Sequence, residues 1–230
     1  TDGIAEGFES FLVNLTAVTA PGGGTSNYLA VGGSATVTII DANVSVGTFQ
    51  QGVGGYLGTT DTYLDGDLVN LAFGQGEEIV VDLQKGDGEP SYEGLATRPQ
   101  QALLRFGNLV GSAPGQIPDG AEIFGGFLTL NVLNESDSTA TISLHRMLID
   151  WNENTATWRD PQGSAGDLVT DGIMPDGVSA VAQPDSIVTT PGRAGRVQVP
   201  LNVETLQAWA NGGIANYGWL ISSDSPDSFR

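Results

Sequence analysis

The chain has 230 residues, of which 40% are hydrophobic, so it can build a packed core and is not disordered throughout. It carries 27 acidic and 8 basic residues, a formal net charge of -19, which excludes the basic patches that bind nucleic acid or anionic membranes. The absence of cysteine excludes disulfides and thiolate metal sites, and no apolar stretch is long enough to predict membrane insertion.

Short β-strands are the predicted secondary structure, because Val, Ile, Thr and Leu fill the segments between 33 glycines. In residues 8–16, Phe11, Val13 and Leu15 alternate with neighbours on the opposite face, which predicts a half-buried strand. A second alternating strand is predicted at 34–40. Two strands alone bury too little surface to be stable, so this segment is expected to pack on something else.

Further strands are expected along the rest of the chain, with the turn spacing of sandwiches and jelly rolls. The runs 127–133 and 140–144 have the best strand patterns, and residues 134–138 between them are predicted to form a hairpin turn. The predicted strands are 46–50, 68–73, 78–83, 102–107, 122–133, 139–149, 168–171, 187–189, 194–200 and 216–222.

One helix is predicted, over about 202–211. Asn202 can cap its N-terminus, and Glu204 in the first turn is favourable to the helix dipole. A single short helix in an all-β chain is expected to plug one end of a sandwich. Its apolar stripe consists of Leu206, Trp209 and Ala210.

The N-terminal segment resembles part of a known family. Residues 2–11, Asp-Gly-Ile-Ala-Glu-Gly-Phe-Glu-Ser-Phe, and 35–41, Ala-Thr-Val-Thr-Ile-Ile-Asp, resemble the C-terminal half of a Calx-beta domain. The resemblance covers residues 1–43 and implies an N-terminal β-hairpin from a partial second sandwich.

The Calx-beta resemblance implies a structural Ca²⁺ site, since acidic loops of that family gather Ca²⁺ at one end of the sandwich. Asp2, Glu6 and Asp41 match those positions. Ala42 and Asn43 interrupt the closing acidic run of the family, and Ca²⁺ takes six to eight oxygen ligands. The alternative, solvated turn residues without an ion, therefore stays open and is favoured.

Residues 44–230 resemble the disaggregatase-related (DNRLRE) domain, a secreted β-sandwich module of bacteria and archaea. The resemblance implies an accessory unit, in some relatives one that binds polysaccharide. Such domains continue past a loop like 224–230, so we expect the final strand to be lacking. The blocks that carry the resemblance are 49–52, 58–63, 102–106, 117–121, 151–158, 206–212 and 216–221.

The tryptophans offer one candidate ligand site. Trp151 and Trp158 flank Glu153, and aromatic faces stack on sugar rings, which would suit a polysaccharide site. Alternatively, both tryptophans pin a long turn onto the core while Glu153 accepts hydrogen bonds from its own loop; this alternative is favoured. Trp209 is expected in the core, whereas Trp219 can face either way.

Other polar groups have structural interpretations. His145 is the single histidine and has no serine elbow with it, so a structural or surface role is expected. Arg105 alternates with apolar neighbours, which predicts an inward side chain that serves as a structural ion pair with a carboxylate or as a hydrogen-bond hub. The acidic loop 85–89 lacks the ligand spacing of an EF-hand and is predicted to be a turn.

The predicted fold is all-β: an antiparallel β-sandwich of jelly-roll type with one short helix at 44–230, preceded by the hairpin of 1–43. The predicted function is a non-catalytic module for polysaccharide binding or cell-surface adhesion, extracellular and in contact with a polysaccharide or another surface polymer. The first alternative is a structural subunit of an extracellular fibre or layer that assembles with neighbouring domains or copies of itself by strand complementation. A polysaccharide-degrading enzyme is the remaining alternative.

Overall fold

A computed structural model describes the parts of the chain treated below. The contacts divide the chain into two units, Thr1–Val46 and Gly47–Arg230. The described residues are 8–14, 34–40, 45–83, 99–133, 139–163, 172–190 and 193–224.

The described part of the first unit is a pair of antiparallel strands. Strand β1 spans Phe8–Asn14 and strand β2 spans Ser34–Ile40, in a register that places Phe8 opposite Ile40. Alternating apolar residues favour this extended conformation. Both strands predicted for this segment are therefore confirmed.

The second unit is an antiparallel sandwich. Five strands form one sheet in the order β3-β4-β9-β6-β7, and β5 and β8 form the other. The all-β sandwich with one short helix is confirmed. A jelly roll has eight strands, and the described strands of this unit number seven, so the jelly-roll type stays a prediction. The strands are β3 Thr59–Asp65, β4 Gln100–Phe106, β5 Phe127–Val132, β6 Thr141–Arg146, β7 Ser186–Thr189, β8 Gly195–Pro200 and β9 Trp219–Ser223.

Both faces of the five-stranded sheet are buried, because neighbouring side chains of a strand point to opposite faces. The inner face packs against β5 and β8 in a core that includes Leu104, Ile142 and Ile221 from the larger sheet. In the part of the chain that the structure describes, loops cover the outer face. Its core comprises Leu64, Leu103, Leu220, Met147, Trp151, Ala156, Trp158, Ile173 and Ala180.

The single described helix of the second unit, α1, spans Val203–Ala210 and confirms the prediction at 202–211. Asn202 caps it: the Oδ1 atom accepts a hydrogen bond from the Thr205 amide at 3.0 Å. Trp209 is buried and contacts Trp219 edge to face, with ring centroids 4.7 Å apart. The helix thus completes the inner core, as its apolar stripe predicts.

Three strand predictions near the start of the second unit are wrong. Residues 46–50 and 68–73 contain no strand, and 78–83 contributes only isolated bridges at Val81 and Asp82. Residues 46–50 are irregular and lead into a turn in which the Val53 amide donates to the Gln50 carbonyl, and a turn in which the Leu71 amide donates to the Leu68 carbonyl replaces the second. The strand that does form here, β3, was not predicted, because its Thr-Thr-Asp-Thr start lacks apolar alternation.

The predicted hairpin between the two best strand patterns is also wrong. β5 pairs with β8, whereas β6 pairs with β7 and β9, so consecutive strands lie in opposite sheets. The pairing with β7 and β9 places the apolar face of β6, Ile142 and Leu144, in the inner core. Residues 134–138 and the predicted strand 168–171 lie outside the described residues.

Candidate functional site

The residues predicted to bind calcium lie outside the described part of the chain. This holds for Asp2, Glu6 and Asp41. The acidic loop 85–89, which is predicted to be a turn, also lies outside the described residues. Within the described residues, no group of three or more His, Asp or Glu side chains is arranged to hold a metal ion. The structural Ca²⁺ site therefore stays a prediction.

The tryptophan block is part of the outer core. Trp151 and Trp158 are each only 3% exposed, and the Trp151 indole N–H donates to the Tyr217 carbonyl at 2.8 Å. Neither ring face is available to stack on a sugar, so the structural interpretation of both is confirmed. Glu153 differs from expectation: it accepts a hydrogen bond from the Asp61 amide of β3 at 3.0 Å, not from its own loop.

Two isolated polar side chains have structural partners. The buried His145 ring bonds the Val181 carbonyl through Nδ1 at 2.9 Å. Arg105 forms the predicted ion pair, with 2.7 Å between its Nη1 atom and Asp150 Oδ1, and its guanidinium lies 5.1 Å from the centre of the Trp151 ring. Arg105 is half-buried at the sheet margin, where the pair joins β4 to the loop that follows β6.

A groove of about 300 Å³ lies beside strand β5 and is the candidate site. Its apolar lining from the larger sheet comes from β4, β6 and β9: the buried Leu104, Ile142 and Ile221, and the half-buried Phe106. Ile79 and Val81 also line it, from the segment before the bridge at Asp82. The remaining apolar lining comes from β5, at Leu128, Leu130 and Val132, and from Leu133, which follows it.

The edge of β5, rather than one face, borders this groove. Leu128 and Val132 are buried, Thr129 and Asn131 are exposed on the opposite face, and all four line the groove. Only an edge brings both sets of residues to the same opening, since successive side chains point to opposite faces.

The hydrogen bonds show which backbone groups point away from β8. The Leu201 amide donates to the Gly126 carbonyl, and these residues are direct partners if the β5–β8 register is extended by one position. Hydrogen-bonded pairs alternate in an antiparallel ladder, so Leu128 and Leu130 bond β8 while Thr129 and Asn131 point their N–H and C=O groups outward. Pro200, which has no N–H, is opposite Phe127, at a position where β5 and β8 exchange no ladder bonds with each other.

No strand occupies the outer edge of β5 among the residues that the structure describes. An edge of this kind offers a row of backbone donors and acceptors to another strand. Here the row is flanked by uncovered apolar side chains: Leu133, at one end, is 53% exposed. The groove therefore has the backbone and side-chain features of a position for an additional strand.

Carboxylates give the groove an acidic rim. Asp61, Glu77 and Glu78 line it. Burial raises the pKa of Asp61, and the negative charge of Glu153 raises it further. The backbone at Gly74 packs closely against the backbone of Glu153, because a Cβ atom at Gly74 would overlap the Glu153 carbonyl. A ligand that enters here meets negative charge at the margin and apolar side chains within.

Sequence reasoning did not identify this site. The run of β5 alternates clearly, but nothing local indicates that only one of its edges is paired. The relevant feature is that β5 and β6 follow each other in the sequence but lie in different sheets.

No described helix is both long and apolar enough to cross a membrane. Comparisons of the chain with protein-family models, with curated proteins and with solved structures found no match. The resemblances to the Calx-beta and DNRLRE domains stay expectations from the sequence.

Proposed function

We propose that this chain is a non-catalytic extracellular module for adhesion and assembly, which holds an extended polypeptide strand in the groove beside β5. The observation that carries the proposal is the outward row of backbone groups at Thr129 and Asn131 next to an apolar opening. Strand addition uses these two elements: main-chain hydrogen bonds supply affinity, and alternate side chains enter pockets.

Both elements favour a peptide over a small polar ligand. A strand of six residues spans about 20 Å, the length of β5. One side of the added strand would contact the half-buried Ile79 and Phe106, and its backbone would replace the water that solvates the β5 edge. The extracellular setting is supported by the charge of -19 and the absence of cysteine.

Amide hydrogen exchange tests this function on the full chain, at a concentration where it is monomeric. The probe is an uncharged peptide of alternating threonine and valine. The control is a peptide of the same length in which glycine replaces valine. We expect the peptide to slow exchange at Thr129 and Asn131. The variant Thr129→Pro removes one outward N–H without breaking the β5–β8 ladder and should weaken binding about tenfold.

Thr129→Ala is the matched control, since it keeps the backbone donor and should bind like the original chain. Equal exchange rates at Thr129 and Asn131 with and without peptide would contradict strand addition. So would equal peptide affinity in the proline and alanine variants, provided that both unfold at the same temperature as the original chain.

Polysaccharide binding is the second candidate, favoured by the exposed face of the small sheet. Phe127 is 50% exposed there and lies opposite Pro200, while Thr129, Asn131 and Gln198 offer hydroxyl and amide groups on the same face. An aromatic ring among such groups can stack on a sugar and bond its hydroxyls. A glycan array with the original chain and Phe127→Ala checks this: binding that the variant loses supports the candidate, and an array without binding removes it.

A structural Ca²⁺ at Asp2, Glu6 and Asp41 is kept as part of the proposal, on the Calx-beta resemblance alone. Thermal unfolding in Ca²⁺ and in a chelator tests it, because an ion that binds the folded chain raises its melting temperature. Asp41→Asn should abolish the difference. A melting temperature that Ca²⁺ does not change would contradict the site.

A further inference from the structure

The groove restricts the strand that it can hold. The occupant must be extended, about six residues long, and apolar at alternate positions that face the half-buried Ile79 and Phe106. The acidic rim at Asp61 and Glu77 disfavours a strand with carboxylates of its own. These requirements can be compared with strands of this same chain.

Strand β2, Ser34–Ile40, meets each requirement in its sequence. Ala35, Val37 and Ile39 alternate with threonines, and the strand has no charged residue. β1 pairs with one of its edges, and no strand pairs with the other among the described residues. β1 is the poorer match, because Glu9 would add a negative charge near the acidic rim.

We propose that β2 of one molecule adds to the outer edge of β5 in a second copy of this chain. The inference rests on the strand-addition function proposed above and names its partner. The joint sheet has the order β1-β2-β5-β8, with two strands from each molecule. The added pair extends the two-stranded sheet to four strands over the inner core and gives the β1–β2 pair the neighbour that a lone hairpin needs for stability.

The symmetry of the contact determines what assembles. Donor and acceptor are different surfaces, and each molecule carries one of each, so the contact is heterologous. Such contacts close into rings or continue as filaments. Because every copy has a charge of -19, added salt screens the repulsion and should promote assembly.

Directed disulfide cross-linking tests the proposal cleanly, because the chain has no cysteine. One preparation carries Thr129→Cys and a second, with a different tag, carries Thr38→Cys. After mixing and mild oxidation, we expect mixed dimers several-fold above their statistical share. The matched control replaces the first preparation with Gln198→Cys; Gln198 lies directly opposite Thr129 on β8 and is one strand farther from the groove. A disulfide cannot span that additional strand spacing.

Different failures have different meanings. Mixed dimers at only their statistical share overturn the assignment of β2 as donor. A chain with both Thr38→Cys and Thr129→Cys that forms an internal disulfide at high dilution overturns the second copy as the occupant. In both cases, peptide-dependent protection at Thr129 still supports strand addition itself, whereas loss of that protection contradicts the proposed function as well.

Discussion

The two faces of the five-stranded sheet are covered in different ways. On the outer face, loops pack Trp151, Trp158 and Ile173 over the strands and bond them through side chains, as Gln101 does with the Ile173 backbone. On the inner face, a two-stranded sheet and one helix leave a groove beside β5. Irregular loops can therefore seal a sheet when side chains bond their backbone groups, whereas regular strands leave an open edge.

The largest predicted effect is on the sealed face. Trp151→Ala removes a buried indole and its hydrogen bond to the Tyr217 carbonyl, so the free energy of unfolding should fall by about 3 to 5 kcal/mol. On the groove side, Leu130→Ala should cost only about 1 to 2 kcal/mol, because the side chain is half-buried. Urea denaturation measures both. Similar losses in the two variants would contradict the difference between the faces.

A smaller effect is expected from two glutamines that pin loops in the same way. The Gln101 side chain donates to the Ile173 carbonyl and accepts from the Ile173 amide, and both hydrogen bonds are buried. Gln101→Leu should therefore lower the free energy of unfolding by about 2 to 4 kcal/mol. Gln207 bonds the Ile123 amide and the Ala121 carbonyl, but these are only part-buried.

Water can replace the Gln207 side chain, so Gln207→Leu should cost less than about 1 kcal/mol. Thermal unfolding of the two leucine variants side by side gives the comparison. If Gln207→Leu proves the more costly of the two, burial is not what distinguishes the loops of the two faces.

The smallest effect concerns the acidic rim. A carboxyl whose pKa is raised in the folded state binds protons more readily there than in the unfolded chain. Above the raised pKa of the folded state, ionised Asp61 therefore lowers the free energy of unfolding. This loss disappears as the pH falls below the pKa that Asp61 has in the unfolded chain. Asp61→Asn should stabilise at neutral pH by less than about 1 kcal/mol, because solvent screens the group.

This gain should vanish when unfolding is measured near pH 3. Glu77→Gln is the control, since Glu77 is an exposed member of the same rim. A gain from Asp61→Asn that is the same at both pH values would contradict the electrostatic origin.

Local patterns predicted most elements but not their partners. The predicted segments overlap β4 through β9, and the cap at Asn202 predicted the helix start, because alternation and capping act within a few residues. The sequence does not predict β3, because the polar residues at its start, from Thr59, lack a strand pattern and form a strand only through pairing with β4. The groove could not be predicted, because β5 and Ile79 meet there only once distant strands have paired.

The position of β9 has a consequence for how the chain folds. Trp219–Ser223 is the last described strand, yet it lies in the middle of the larger sheet, between β4 and β6. Its pairing with Leu103 spans more than half of the sequence. Contacts so distant along the chain make folding slow. During synthesis the larger sheet cannot form completely until β9 has left the ribosome. Until then, β4 and β6 lack the strand that pairs with both of them.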